Sequence, residues 1–224
     1  MTSRILKRLW WGVVAFLIVT VLWVLVYRFV PVPGTPLMLI RNTCENIKAN
    51  YRWTPIENIA ADMQLAVIAA EDSRFMQHNG FDWEQIEKAQ DDARKGKKLR
   101  GASTISQQTA KNVFLWNRRS WIRKGFETYF TILIELLWSK ERIMEVYLNC
   151  IEMGEGLYGV AAVAEANFGK SADKLTRKEC ALIAATLPNP RRFSSKRPSE
   201  YIKKRRTAIL RNMSYIEKKG LHKN

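Results

Sequence analysis

The chain has 224 residues, 47% of them apolar, and a formal net charge of +16 at pH 7. That length holds an anchor and one catalytic domain, but not two ordinary domains besides. So large a positive excess calls for an acidic partner, and nucleic acid, anionic headgroups and a pyrophosphate-bearing substrate all qualify. Three scattered cysteines (Cys44, Cys150, Cys180) and two histidines (His78, His222) argue against a disulfide framework and a transition-metal cluster.

Residues 1–8 are basic, with Arg4, Lys7 and Arg8. An uncharged run over 9–27 follows, about 28 Å long as a helix and so close to the bilayer hydrocarbon thickness. Trp10 and Trp11 stand at one end, Trp23 and Tyr27 near the other, as interfacial aromatics do. A cleaved signal peptide would have a shorter apolar core and a small-residue cleavage site, which Val26-Tyr27-Arg28-Phe29-Val30 does not offer. Residues 9–30 therefore read as a single transmembrane anchor. The basic residues before it, against Arg28 and Arg41 after it, favour a cytoplasmic N-terminus and place the remaining chain outside the inner membrane. Residues 31–50 read as a linker and lead-in, stiffened by Pro31, Pro33 and Pro36.

The rest, 51–224, reads as one mostly helical domain. Thr54-Pro55-Ile56-Glu57 predicts a helix start, with a Thr cap and Pro at the first position, running to about Ala70 and delivering Glu71 and Asp72 at its end. Residues 95–100 read as a short basic loop. Helices are expected over 103–113, 121–138, 140–149 and 179–187, the last stopped by Pro188 and Pro190. No alternating run is long enough to predict a strand. Residues 203–211 read as a basic helix surface.

Three polar clusters carry candidate chemistry. Glu71-Asp72-Ser73-Arg74-Phe75-Met76-Gln77-His78-Asn79-Gly80-Phe81-Asp82 sets two carboxylates at the end of an apolar helix. Burial and a like-charged neighbour there raise a carboxyl toward neutrality, as a general base needs; composition alone favours a solvated helix end. On a helix, Ser103, Gln107 and Lys111 share one face, with Gln108 beside them, a row suited to a sugar and a phosphate or simply to solvent. Arg123 and Glu127 are i, i+4 partners beside Lys124: a surface ion pair, or a carboxylate among cations next to a phosphate.

Taken in order, Glu-Asp-x-x-Phe-x-x-His-x-Gly-Phe-Asp, Gly-Ala-Ser-Thr-Ile-x-Gln-Gln and Arg-Lys-x-x-Glu resemble the motifs of the peptidoglycan glycosyltransferases. So do Ser139-Lys140-Glu141-Arg142-Ile143-Met144-Glu145-Val146-Tyr147-Leu148-Asn149 and Gly156-Leu157-Tyr158-Gly159-Val160. The resemblance runs from about Ile56 to Arg191, and the short chain with one anchor is similar to the monofunctional type. Ser106, Asn167 and Cys180 depart from the family's usual Thr, aromatic and Ala without touching a carboxylate.

The resemblance implies a lysozyme-like, two-lobed helical domain that polymerises lipid II into β-1,4 glycan strands with inversion. Undecaprenyl diphosphate leaves from the growing lipid-linked strand. It implies Glu71 as general base and Glu127 as support for the leaving pyrophosphate, directly or through a cation. Lys111, Arg123, Lys124 and, by position, Arg119 would bind pyrophosphate, while Ser103, Gln107 and Gln108 would line the cleft. No cofactor is certain. The family leaves room for a divalent cation, Mg or Mn, although the sequence shows no carboxylate cage and no metal ligands are assigned. Expected partners are lipid II, the growing strand, the membrane and other cell-wall synthesis proteins. Nucleic acid is not expected outside the cytoplasmic membrane. Aromatic residues over 114–138 could serve as core or dip into the bilayer. Ser171-Ala172-Asp173-Lys174 matches Ser-x-x-Lys, but no Lys-Thr-Gly follows, so β-lactam acylation is not expected. The rival readings are a lysozyme-like, glycan-cleaving hydrolase and a non-enzymatic protein that binds acidic partners through its charge.

Overall fold

The computed structural model describes residues 2–96, 101, 103–118 and 120–222. Helix α1 (Thr2–Phe29) is continuous, and its stretch Arg4–Phe29 is apolar and long enough to cross a bilayer, with a mean hydropathy of 2.5. It is compatible with a single-pass anchor. Most of its surface is open, but one side docks on the domain. Thr20 Oγ1 lies 2.7 Å from Tyr129 Oη, and the Phe16 ring is 5.9 Å from that of Phe126. Trp138 Nε1 donates to the Val24 carbonyl (2.8 Å), and Arg142 donates to the carbonyls of Tyr27 (3.0 and 2.8 Å) and Val30 (2.7 Å). Arg142 thus caps free carbonyls at the end of α1.

Within the segment read as linker, Thr35 caps α2 (Pro36–Cys44) and Pro36 takes its first position. The helix expected from Thr54 starts later. Thr54 is held in extended backbone by Asn149, which accepts from its N–H (2.7 Å) and donates to its carbonyl (2.9 Å). Residues Ile56–Asn58 form one 3-10 turn, and α3 (Ala61–Glu71) begins without a side-chain cap. Then follow α4 (Trp83–Arg94), α5 (Ile105–Phe114), α6 (Trp121–Leu137) and α7 (Lys140–Cys150). No alternating run predicts a strand, yet β1 (Asn50–Tyr51), β2 (Glu152–Gly154) and β3 (Leu157–Tyr158) form a small sheet in the order β1-β3-β2. These segments are too short for an alternating pattern to register. Helices α8 (Gly159–Phe168), α9 (Arg177–Thr186) and α10 (Glu200–Lys219) complete the mostly helical fold.

Packing falls into two groups. α5 lies against α6 and α7, and α1 lies against α6 and meets α5 where Trp23 and Tyr27 pack on Phe114, while α3, α9 and α10 pack on one another. α6 divides its apolar residues between two environments: Phe130 and Ile134 are core, whereas Trp121, Ile122 and Leu136 are 90%, 71% and 75% exposed. Phe130 and Ile134 thus serve as core, and the exposed set belongs to the helix that α1 lies against.

Gly159 shows how tightly the sheet meets α8. Its φ is +79°, and a Cβ there would sit 2.4 Å from the Asn149 carbonyl oxygen. Gly159→Ala should therefore destabilise the domain by at least about 2 kcal/mol, seen as a lowered thermal midpoint in detergent. An unchanged midpoint would show that this backbone is free to relax.

Candidate active site

α3 is apolar over Met63 and Leu65–Ala69, so it runs through the core and brings Glu71 to a largely covered position. Asp72 then leaves the helix, and its two oxygens are committed. His78 Nε2 lies 2.9 and 3.1 Å from them, and the Ile105 N–H at the start of α5 donates to Oδ2 (3.0 Å). A carboxylate at a helix N-terminus is favoured by the free N–H groups and the dipole. Thr104 adds a capping box with Gln107, each side chain bonding the other's backbone N–H. Ser103 thus precedes the cap instead of sharing the helical face expected with Gln107 and Lys111.

These ties fix α5 across the end of α3. Gln108 Nε2 donates to Glu71 Oε2 (2.9 Å), while Tyr147 Oη reaches Gln108 Oε1 (3.3 Å) and orients the amide. The Glu71 side chain is 14% exposed. Burial pushes its carboxyl above the ordinary value, and Asp72 adds to that; Gln108, Arg205 and Lys111 act the other way.

One turn along α5, Lys111 faces a cavity of about 390 Å³. Ser103, Gln107, Gln108, Lys111, Arg123, Lys124 and Glu127 all line it. Ser120 caps α6 through the Arg123 N–H (3.1 Å), which turns the first residues of α6 toward this space. Glu127 is 4% exposed and both its oxygens are taken, by Arg123 Nη1 at 2.7 Å and Lys124 Nζ at 2.5 Å. Burial lowers the Lys111 ammonium, partly offset by Glu127. Four lining cations, Arg41 with these three, against one lining carboxylate leave a site suited to a multiply charged anion. Among the described residues, Glu127 is the one carboxylate lining this cavity, so a divalent cation held by protein groups does not fit the donor set.

A second cavity of about 270 Å³ is lined by Glu71, Asp72, Asn212 and again Ser103, which belongs to both. Sequence-predicted Arg119 lies outside the described residues, as does most of the basic loop over 95–100. Asp72, His78 and Asp82 bring one potential ligand atom each within 4.8 Å of one another. Their groups are already engaged, since Asp82 caps α4 through the Gln85 N–H (3.1 Å) and faces Arg74. Ser171 donates to Asp173, and Lys174 pairs with that same carboxylate instead of with Ser171.

Sequence reading missed two contributions. Arg41, on α2, lines the first cavity while bonded to Glu45 (2.5 Å) and Glu152 (3.1 Å). Arg205, read as helix surface, reaches Glu71 Oε1 at 3.7 Å. Arg205 has no local signal because it acts on a residue remote in the chain, and the i, i+4 pair of Arg41 with Glu45 does not show that Arg41 reaches this cavity.

A family model described as transglycosylase matches residues 39–214. The chain is similar to the biosynthetic peptidoglycan transglycosylase of Bacteroides thetaiotaomicron, 57% identical over 204 residues that cover 89% of this chain and 82% of that protein. Proteins of the same description from Bdellovibrio bacteriovorus and Rhodospirillum centenum are 53% and 47% identical. They cover 91% and 99% of this chain and 83% and 96% of their own lengths.

The raised Glu71 carboxyl carries a stability signature. The folded state binds this proton more tightly than the unfolded chain. Its favourable contribution is therefore complete below the ordinary glutamate value and lost as pH rises through the raised one. Glu71→Gln should accordingly melt above wild type at pH 8, with the gap closing on acidification. A variant that melts lower at pH 8 would contradict the burial argument.

Proposed function

The chain belongs to the transglycosylase family, as a peptidoglycan transglycosylase, and from that membership we propose that it polymerises lipid II into β-1,4-linked glycan strands. The growing lipid-linked strand is the donor and its undecaprenyl diphosphate the leaving group. The observation that carries this reading is a cation-lined cavity one helical turn from the residue that holds Glu71.

In the reaction, Glu71 removes the proton from the acceptor 4-hydroxyl as that oxygen attacks the donor anomeric carbon. The new C1–O4 bond forms as the C1–O bond to pyrophosphate breaks, which inverts C1 in one displacement. Negative charge builds on the departing phosphate, where Lys111, Arg123 and Lys124 stand ready without reorganisation. Glu127 acts by aiming Arg123 and Lys124, since both of its oxygens bind them. Ser103 borders both cavities and so suits the junction of donor and acceptor. Burial of Glu71 keeps it protonated to higher pH than a free glutamate, which makes it a stronger base toward the acceptor hydroxyl.

A glycan-cleaving enzyme of the lysozyme kind needs a second carboxyl free to act on the opposite side of the sugar. Glu127, saturated by two cations, does not fill that role.

For the membrane, α1 serves as a single-pass anchor with a cytoplasmic N-terminus, which puts the domain outside the inner membrane. The exposed Trp121, Ile122 and Leu136 of α6 lie in the apolar phase beside it, close to where a polyprenyl substrate resides.

Detergent-solubilised protein given labelled lipid II should produce a muramidase-sensitive ladder, absent in Glu71→Gln. Lys111→Gln and Arg123→Gln should each lower kcat/KM by roughly 10²–10³. Release of soluble muropeptides from finished sacculi, with no ladder, would favour the hydrolase. A reporter fused to the C-terminus and active only in the cytoplasm would reverse the orientation.

A further inference from the structure

We propose that Arg205 of α10 is a positioning residue for Glu71, orienting its carboxylate and supplying its counter-charge from across the fold. The inference rests on Glu71 being the base. The two carboxylate oxygens are treated differently. Oε2 accepts the Gln108 amide at 2.9 Å. Oε1 faces Arg205 Nη2 at 3.7 Å, an ion-pair separation too long for a hydrogen bond. Oε1 therefore keeps its lone pairs open beside a fixed positive charge, and it is the oxygen that takes the acceptor proton.

The placement of Arg205 is determined by packing. Ile202, Ile209, Met213 and Ile216 are buried and repeat at helical spacing, which sets one face of α10 against α3 and α9. Arg205 falls between the first two of these, one turn beyond Ile202. Asn212 Nδ2 donates to the Ala69 carbonyl (3.4 Å), tying α10 to the last turn of α3 two residues before Glu71. Arg205 Nε is buried without a partner, so the guanidinium is not spread over competing acceptors. An arginine in a basic surface helix would ordinarily turn to solvent; this one is only 29% exposed at the side chain.

The charged and titratable groups around Glu71 come from several elements. Asp72 adjoins it on the chain, Gln108 and Lys111 reach in from α5, Tyr147 from α7 and Arg205 from α10. The charge contact with α9 lies at the opposite end of α3, Arg177 to Asp62 at 2.6 Å. Arg205 and Lys111 are thus the two cations acting on the carboxylate, and Lys111 is shared with Glu127. Burial raises the Glu71 carboxyl and Arg205 opposes it, so the arginine favours the charged form of the base.

The test is the pH dependence of lipid II polymerisation for wild type, Arg205→Met, Arg205→Lys and Glu71→Gln, with folding of each checked by circular dichroism. Removing the charge should move the acidic limb of the rate profile up by about one pH unit, so the rate on that limb falls roughly tenfold. Arg205→Lys should return the limb to its wild-type position. An acidic limb that stays in place in Arg205→Met, or moves equally in Arg205→Lys, overturns the proposal. Arg205→Gln is the second neutral variant. If neither neutral variant folds while Arg205→Lys does, the residue is structural and the proposal also fails. Turnover persisting in Glu71→Gln would instead remove the base assignment on which it rests.

Discussion

The Asp72 carboxylate holds the site together. It stands at the point where α3 stops, and it takes the first N–H of α5 together with the His78 ring. An anion at a helix N-terminus satisfies donors that otherwise have no partner. The consequence is a fixed relation between two helices from different packing groups. One ends on Glu71, and the other begins with the residues that meet it. His78, prominent in the sequence, serves this junction instead of touching the cavities that Glu71 and Lys111 line.

α5 then distributes two tasks over a single turn. Gln108 faces back to Glu71, and Lys111 faces forward to the cluster of Arg123, Lys124 and Glu127. Lys111 feels both carboxylates, Glu127 more than Glu71. On the proposed reading, a proton acceptor and a phosphate-binding site are thereby kept at a set distance by one helix. Such rigidity suits catalysis in which positioned charges meet a developing negative charge. Trp138 and Arg142 bond the long apolar helix α1 to the same framework.

What was legible in the sequence follows from range. The apolar run of α1, the helical stretches of α6 and α7, and the Glu71 terminus of α3 all depend on neighbouring residues, and each was readable. Thr54 looked like a cap, but Asn149, remote in the chain, claims its backbone. The strands were too short to show a period, and their register needs Gly159 against Asn149. For the site, motif order brought together Ser103, Gln107, Gln108, Lys111, Arg123, Lys124 and Glu127 around one cavity. It did not reveal that Glu127 is saturated by its cations or that α10 supplies a cation to Glu71. The spacing of Arg123, Lys124 and Glu127 within one helix was visible, but not that burial commits both Glu127 oxygens to those two cations; Arg205 reaches Glu71 by tertiary approach from what reads as an ordinary helix surface.

The central claim is a division of labour along α5, with proton transfer at Glu71 and leaving-group stabilisation at the cation cavity. Lipid II affinity measured separately from turnover tests it most directly. Glu71→Gln should bind lipid II as tightly as wild type while turning over none, and Lys111→Gln should bind it more weakly. A Glu71→Gln variant that folds but loses affinity as severely as Lys111→Gln would contradict the division.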